Sequence, residues 1–192
     1  NMLNFKQLRQ VTQVKGNGDI VSKEIAVSTF IRLHLACKGV VELHQGAEEK
    51  VTVEADENLL QYCTAVNSGR TLFVSTEGNL RKLVFTHCVI KIFFRQLSVL
   101  YVRNDKGSVI SPREISLHEP LEIKVESSGD MDLNLVVPSL KMLSQAQGNI
   151  TLKGSTDWLN LRNQAQGDFD ASEFKAGQLE INNKADGNVR LH

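Results

Sequence analysis

Glycines at 129, 148, 167 and 187 recur at spacings of 19, 19 and 20 residues, and their flanks fall into columns. Eight before each glycine stand Leu121, Leu140, Leu159 and Leu179; six before it come Ile123, Met142, Leu161 and Ile181. Four before it are Val125, Ser144, Asn163 and Asn183, and two before it Ser127, Ala146, Ala165 and Ala185. Beyond it lie Met131, Ile150, Phe169 and Val189, then Leu133, Leu152, Ala171 and Leu191. Every offset is even, so in an extended strand all these side chains project to one face. A unit of about 20 residues without a helix cannot bury its own apolar face, but stacked units can share a core.

The pattern therefore predicts an all-β chain folded as a β-solenoid, with the small Ala and Gly slots at its corners. Stacking would set the Ser144, Asn163 and Asn183 side chains in a ladder with a spacing of about 4.8 Å. The same template fits upstream through Ile31, Leu33, Leu35, Cys37, Gly39, Val41 and Leu43. It fits more loosely around Gly107, through Val99, Tyr101, Asp105 and Val109. Strands are expected over 20–54 and 70–102, separated by a short turn at 56–63 with Asp56 at its N-cap. We expect one domain over 1–192: an irregular N-terminal β section over 1–106, then regular rungs over 107–192. The chain stops at "GNVRLH", half a rung past the last glycine, and an uncovered edge there predicts self-association into a homo-oligomer.

Composition narrows the partners. Lys and Arg together number 22, equal to Asp and Glu, so there is no net basic field to draw in nucleic acid. No apolar run is long enough for a membrane span. Cys37, Cys63 and Cys88 are odd in number and include no CxxC pair, which argues against a zinc site or a disulfide framework, although one bridge plus a spare thiol is compatible with the count. Cys37 occupies a small slot and Cys88 an apolar strand, so both read as buried packing groups. The opening "NMLNFKQLRQ" shows neither the apolar region nor the cleavage site of a signal peptide.

Histidines 34, 44, 87, 118 and 192 are scattered without ligand spacing, and no nucleophile elbow, P-loop or dinucleotide fingerprint is present. We expect no catalytic residue, no metal and no cofactor. The polar feature that stands out is an outward column, Asp130, Asn149, Asp168 and Asn188, beside a second, Asp132, Thr151, Asp170 and Arg190. Asp and Asn are ordinary turn residues, and that accounts for most of the pattern. As weak ligand-binding candidates, Asp130, Asp132, Asn149, Asp168, Asp170 and Asn188 could hold sugar hydroxyls or calcium. Asp130 and Asp168, two rungs or roughly 9 to 10 Å apart, are also at the upper edge of the separation used in inverting glycoside hydrolysis.

The stretch "FIRLHLACKGVVELHQGAEEKVTVEADENLLQY", with Phe30, the Gly39–Leu43 strand, Gln45-Gly46 and "VTVEADENLL", resembles a family of bacterial envelope proteins. These are the "putative autotransporter adhesin, head GIN domain" proteins common in Bacteroidetes. The "GD" and "GN" corners fit as well, whereas Ala36-Cys37-Lys38-Gly39 departs from the more glycine-rich turn usual in that family. The resemblance covers about Gly16 to the end. It implies an extracytoplasmic protein of the cell envelope, in the periplasm or at the outer-membrane surface, with a right-handed parallel β-helix-like solenoid fold and no established activity. It leaves room for a lipid anchor upstream of this chain.

The leading expectation is a non-enzymatic, adhesin-like module that displays polar ladders to a glycan or another envelope protein. The alternatives are a polysaccharide-active β-helix enzyme using rung-face carboxylates, and a structural or assembly subunit of the envelope.

Overall fold

The computed structural model describes residues 12–78 and 81–192. The reading of the first ten residues as lacking a signal peptide therefore lies outside the described residues, as do positions 79 and 80 of the expected 70–102 strand region. The first strands are β1 (Thr12–Lys15), β2 (Ile20–Ala26), β3 (Arg32–Ala36), β4 (Val40–Gln45) and β5 (Lys50–Asp56). A short 3-10 helix, Glu57–Tyr62, follows. Then come β6 (Thr64–Ser68), β7 (Thr71–Ser75), β8 (Arg81–Val84), β9 (Cys88–Phe94), β10 (Val99–Val102), β11 (Ser108–Ile110) and β12 (Ile115–Ser116). The last are β13 (Leu121–Val125), β14 (Met131–Ser144), β15 (Ile150–Asn163), β16 (Phe169–Asn183) and β17 (Val189–Leu191).

The chain is all-β, but the expected right-handed parallel β-helix-like solenoid with its irregular N-terminal β section is not the fold. A single 15-stranded sheet of mixed strand order curls into a nearly closed barrel, and β1 and β8 form a separate parallel pair. A solenoid needs each turn of chain to lie on its predecessor in sequence order. Here β5 runs antiparallel between β2 and β9, and β6 runs antiparallel to β7. Strands distant in sequence are also interleaved: β10 lies between β3 and β13, and β11 between β4 and β14. The long β14 joins these parts, since its start pairs with β11, its middle with β12 and its end with β13.

Within that sheet the glycine repeat has a direct meaning. Leu121, Leu140, Leu159 and Leu179 are successive register partners in parallel strands, and so are Ile123, Met142, Leu161 and Ile181. The step from 19 to 20 residues is also explained: the register shifts by one between Thr151 and Lys153, so β16 carries its additional residue as a bulge beside Ala171 and not at the glycine corner. The inward side chains join one hydrophobic core running from Phe30 to Phe174. Each fully buried Leu or Ile contributes roughly 1.5–3 kcal/mol. Leu179, on β16, is 48% exposed.

Around Gly107 the expected facing fails. Leu100 and Val102 point inward, whereas Val99 and Tyr101 are only partly buried and Asp105 is exposed; Val109 alone keeps its predicted place. Leu100 pairs with both Leu33 and Ile123, so the link from β10 to Gly107 is one residue out of phase with the later repeats.

Asp56 takes the expected N-cap position, but its side chain has another role. Its side chain makes no capping bond to the 3-10 helix. It is fully buried and instead accepts hydrogen bonds from the amides of Gly18 (2.9 Å) and Thr86 (2.8 Å) and from the Thr86 hydroxyl (2.5 Å). Burial alone would raise this carboxyl's pKa. The Thr86 hydroxyl, with the Gly18, Thr86 and His87 amides, more than reverses that effect and holds it at about 2. Because the folded value lies below the unfolded one, the stabilisation is present above about pH 4 and lost as pH falls towards 2. Asp56→Asn is expected to destabilise by about 2 kcal/mol at neutral pH and to flatten the acid limb, measured by urea denaturation across pH.

The corners are held by close backbone contact. A Cβ on Gly148 would collide with the carbonyl of Gly129, one on Gly167 with that of Gly148, and one on Gly187 with that of Gly167. Gly148→Ala is expected to cost about 1–3 kcal/mol by overpacking. Gly46 provides the control: a Cβ there would meet no atom within 4 Å, and Gly46→Ala should leave the denaturation midpoint nearly unchanged.

Candidate functional site

The outward polar column forms, and one side-chain oxygen of each of Asp130, Asn149 and Asp168 is used within the protein. Asp130 Oδ1 accepts the Asn149 amide (2.8 Å), Asn149 Oδ1 accepts the Asp168 amide (3.0 Å), and Asp168 Oδ1 accepts the Asn188 amide (2.9 Å). Each side chain thus ties its own corner to the next. On the inner face, Asn163 Nδ2 donates to Asn183 Oδ1 at 3.3 Å, so the predicted amide ladder exists for that pair. Ser144, next in the column, makes no such bond.

The structure brings Asn149, Asp168, Asp170 and Asn188 together with Thr151 and Arg190 around a shallow cleft of about 220 Å³. Asp132 is the register partner of Thr151 but, like Asp130, does not line the cleft. The Ser172 hydroxyl and amide hold the Asp170 carboxyl below the usual carboxylate range. That is the wrong direction for the protonated acid of a glycoside hydrolase. Among the described residues no group of three or more His, Cys, Asp or Glu side chains is placed to hold a metal ion.

The three cysteines are buried thiols. Cys37 donates to the Val74 carbonyl at 3.4 Å, and burial pushes its pKa far up, so it carries little thiolate at neutral pH.

Two further surfaces are invisible in the sequence pattern. Lys38, Lys82 and Lys106 meet over Leu83, Val84 and Phe85 in a cleft of about 590 Å³. Lys38 Nζ donates to the Leu83 carbonyl at 3.1 Å, and Lys106 adopts a left-handed backbone with φ of 59°. No spacing in the sequence joins these lysines, because β1 and β8 approach the corner between β3 and β4 only in the folded chain. The second surface is an outward row of Phe73, His34 and Tyr101 on the neighbouring strands β7, β3 and β10. The glycine template places Tyr101 inward, and the phase slip before Gly107 reverses it. Strand alternation within "SVLYV", which buries Leu100 and Val102, is the signal that points the other way.

These features define a class: an all-β protein with one curled mixed sheet, polar corners stacked in register, and clefts at its surface. Among the described residues no helix is long and apolar enough to cross a membrane. The chain belongs to the family described as "Putative auto-transporter adhesin, head GIN domain", whose model matches residues 29–192. The family points to an extracellular or cell-envelope protein. A crystal structure of a putative adhesin from Bacteroides fragilis superimposes with a TM-score of 0.84 at 18% identity, covering 92% of this chain and 81% of that one. A putative adhesin from Parabacteroides distasonis gives a TM-score of 0.62 at 22% identity, over 92% and 83% of the two chains. A third structure, from the same organism and described as a putative lipid binding protein, gives 0.61 at 18% identity, over 88% and 80%. At these identities the likeness is one of fold. No curated protein matches the chain.

Proposed function

We propose that this chain is a non-catalytic binding module of the cell envelope, in the periplasm or at the outer-membrane surface, which contacts a glycan or another envelope protein. The observation that carries this reading is the cleft at the stacked corners. Asn149, Asp168 and Asp170 are held there by hydrogen bonds to backbone amides, with Arg190 beside them, so polar groups of both charge signs face one cleft and the acceptors need little further ordering. Such a set suits sugar hydroxyls, which need donors and acceptors side by side.

A second reading is supported by the lysine cleft. Cationic groups over an apolar floor fit the head and the first methylenes of an anionic amphiphile, and one structural relative is described as a putative lipid binding protein.

Retention of the purified protein on immobilised envelope polysaccharide, envelope protein and anionic-lipid fractions tests both readings. We expect retention on the first or second, reduced about fivefold or more by Arg190→Ala or Asp170→Asn. Retention on the lipid fraction alone, abolished by Lys38→Ala with Lys82→Ala, would favour the second reading. Retention on none of the three would overturn the binding-module proposal.

A further inference from the structure

The aromatic row is one side chain wide and spans neighbouring strands. The His34 ring lies 4.8 Å from that of Phe73 and 5.2 Å from that of Tyr101, at steep angles to both. Strand order places Tyr101 between His34 and Lys124, whose Nζ lies 5.2 Å from the Tyr101 ring. The Tyr101 hydroxyl donates to Glu126 at 3.0 Å, and Glu126 is paired with Lys124 at 3.1 Å. These contacts fix the rings before any ligand arrives. Phe73 is nonetheless 43% exposed, although it lies on a strand whose inward side chains are buried.

Beside the row opens a cleft of about 550 Å³ lined by Arg103, Asn104, Asp105, Glu126, Gln145 and Gln147, among others. Its lining carries one cation, Arg103, against two acids, Asp105 and Glu126; Glu126 lies 3.9 Å from Arg103 and 3.1 Å from Lys124. Asn104 gives an independent sign of a ligand. It is 2% exposed and its Oδ1 accepts the Cys37 amide at 2.8 Å, yet its Nδ2 has no hydrogen-bond partner among the described residues. A buried donor left unpaired costs about 1–3 kcal/mol, and this one belongs to a residue that lines the cleft.

We propose that this face is a binding site for a neutral oligosaccharide, with one pyranose ring lying on the exposed Phe73 and hydroxyl groups entering the Asn104 cleft. The C–H faces of a pyranose carry partial positive charge that suits the negative face of an aromatic ring. The excess of acid over base in the lining disfavours an anionic ligand. A protein partner fits less well: the row continues only to Val66, with Thr71, Arg32 and Val99 flanking it on one side and Ser75, Ala36 and Arg103 on the other. This leaves no broad dry centre of the kind needed in an interface burying about 800 Å² per partner. The proposal rests on the glycan-binding reading above but places the contact on a different face from the stacked corners.

The test is calorimetric titration of the whole chain with hexaoses of β-1,4-glucose, β-1,4-xylose, β-1,4-mannose and α-1,4-glucose. At least one is expected to bind, with the affinity falling about tenfold in Phe73→Ala and in Gln145→Ala, and unchanged in Lys175→Ala, an exposed side chain on β16 outside the clefts described. Phe73 and Gln145 are surface side chains, and matching thermal denaturation of the variants would confirm that they fold. Binding weakened by Arg190→Ala but not by Phe73→Ala would overturn this inference and leave the stacked-corner reading standing. Absence of binding by all four sugars would also overturn it, while retention on envelope fractions would still decide the broader proposal.

Discussion

Successive corners of this protein touch backbone to backbone, and that contact sets the rest of the sheet. At Gly129, Gly148, Gly167 and Gly187 there is no room for a side chain, because the carbonyl of the preceding corner, starting from Gly107, occupies its place. Once the corners are in contact, the flanking strands have only one parallel register available. That register puts Leu on Leu and Met on Ile throughout the core. A slip of one residue would turn the whole apolar set to solvent. The Asp and Asn side chains one residue after each glycine lock the arrangement from outside by accepting the next corner's amide.

This repeating part is legible in the sequence because side-chain parity and spacing are local properties. The columns through Leu121, Leu140, Leu159 and Leu179 are register partners in the fold. What parity does not supply is strand order. Whether β5 turns back against β9, or β10 inserts between β3 and β13, depends on where segments dozens of residues apart settle on a shared core, and no spacing records it. A solenoid is the simplest continuation of the repeat, and the antiparallel N-terminal strands with the interleaved order make a mixed, barrel-like sheet instead. Tyr101 departs from the template for a related reason: an odd link before Gly107 reverses the inward face.

The candidate site shows the same division. The corner residues are visible as columns, and four of the six meet around a cleft, where Asn149 and Asp168 each also give one oxygen to the next corner's amide. The surfaces with free chemistry, the lysine cleft and the aromatic row, are built from strands far apart in the chain. Phe73, His34 and Tyr101 become neighbours only through the placement of β3 between β7 and β10. Buried groups tell a parallel story, since Asp56 reads from its neighbours as a helix cap and instead secures the loops at Gly18 and Thr86.

The central claim is the in-register stacking of β13 to β16 on shared glycine corners. Methyl-labelled nuclear magnetic resonance reads it directly, through contacts between the leucine methyl groups of neighbouring strands. The account predicts cross-peaks from Leu121 to Leu140, from Leu140 to Leu159 and from Leu159 to Leu179, with none skipping a strand. Cross-peaks displaced to other partners, or missing between Leu140 and Leu159, would contradict it.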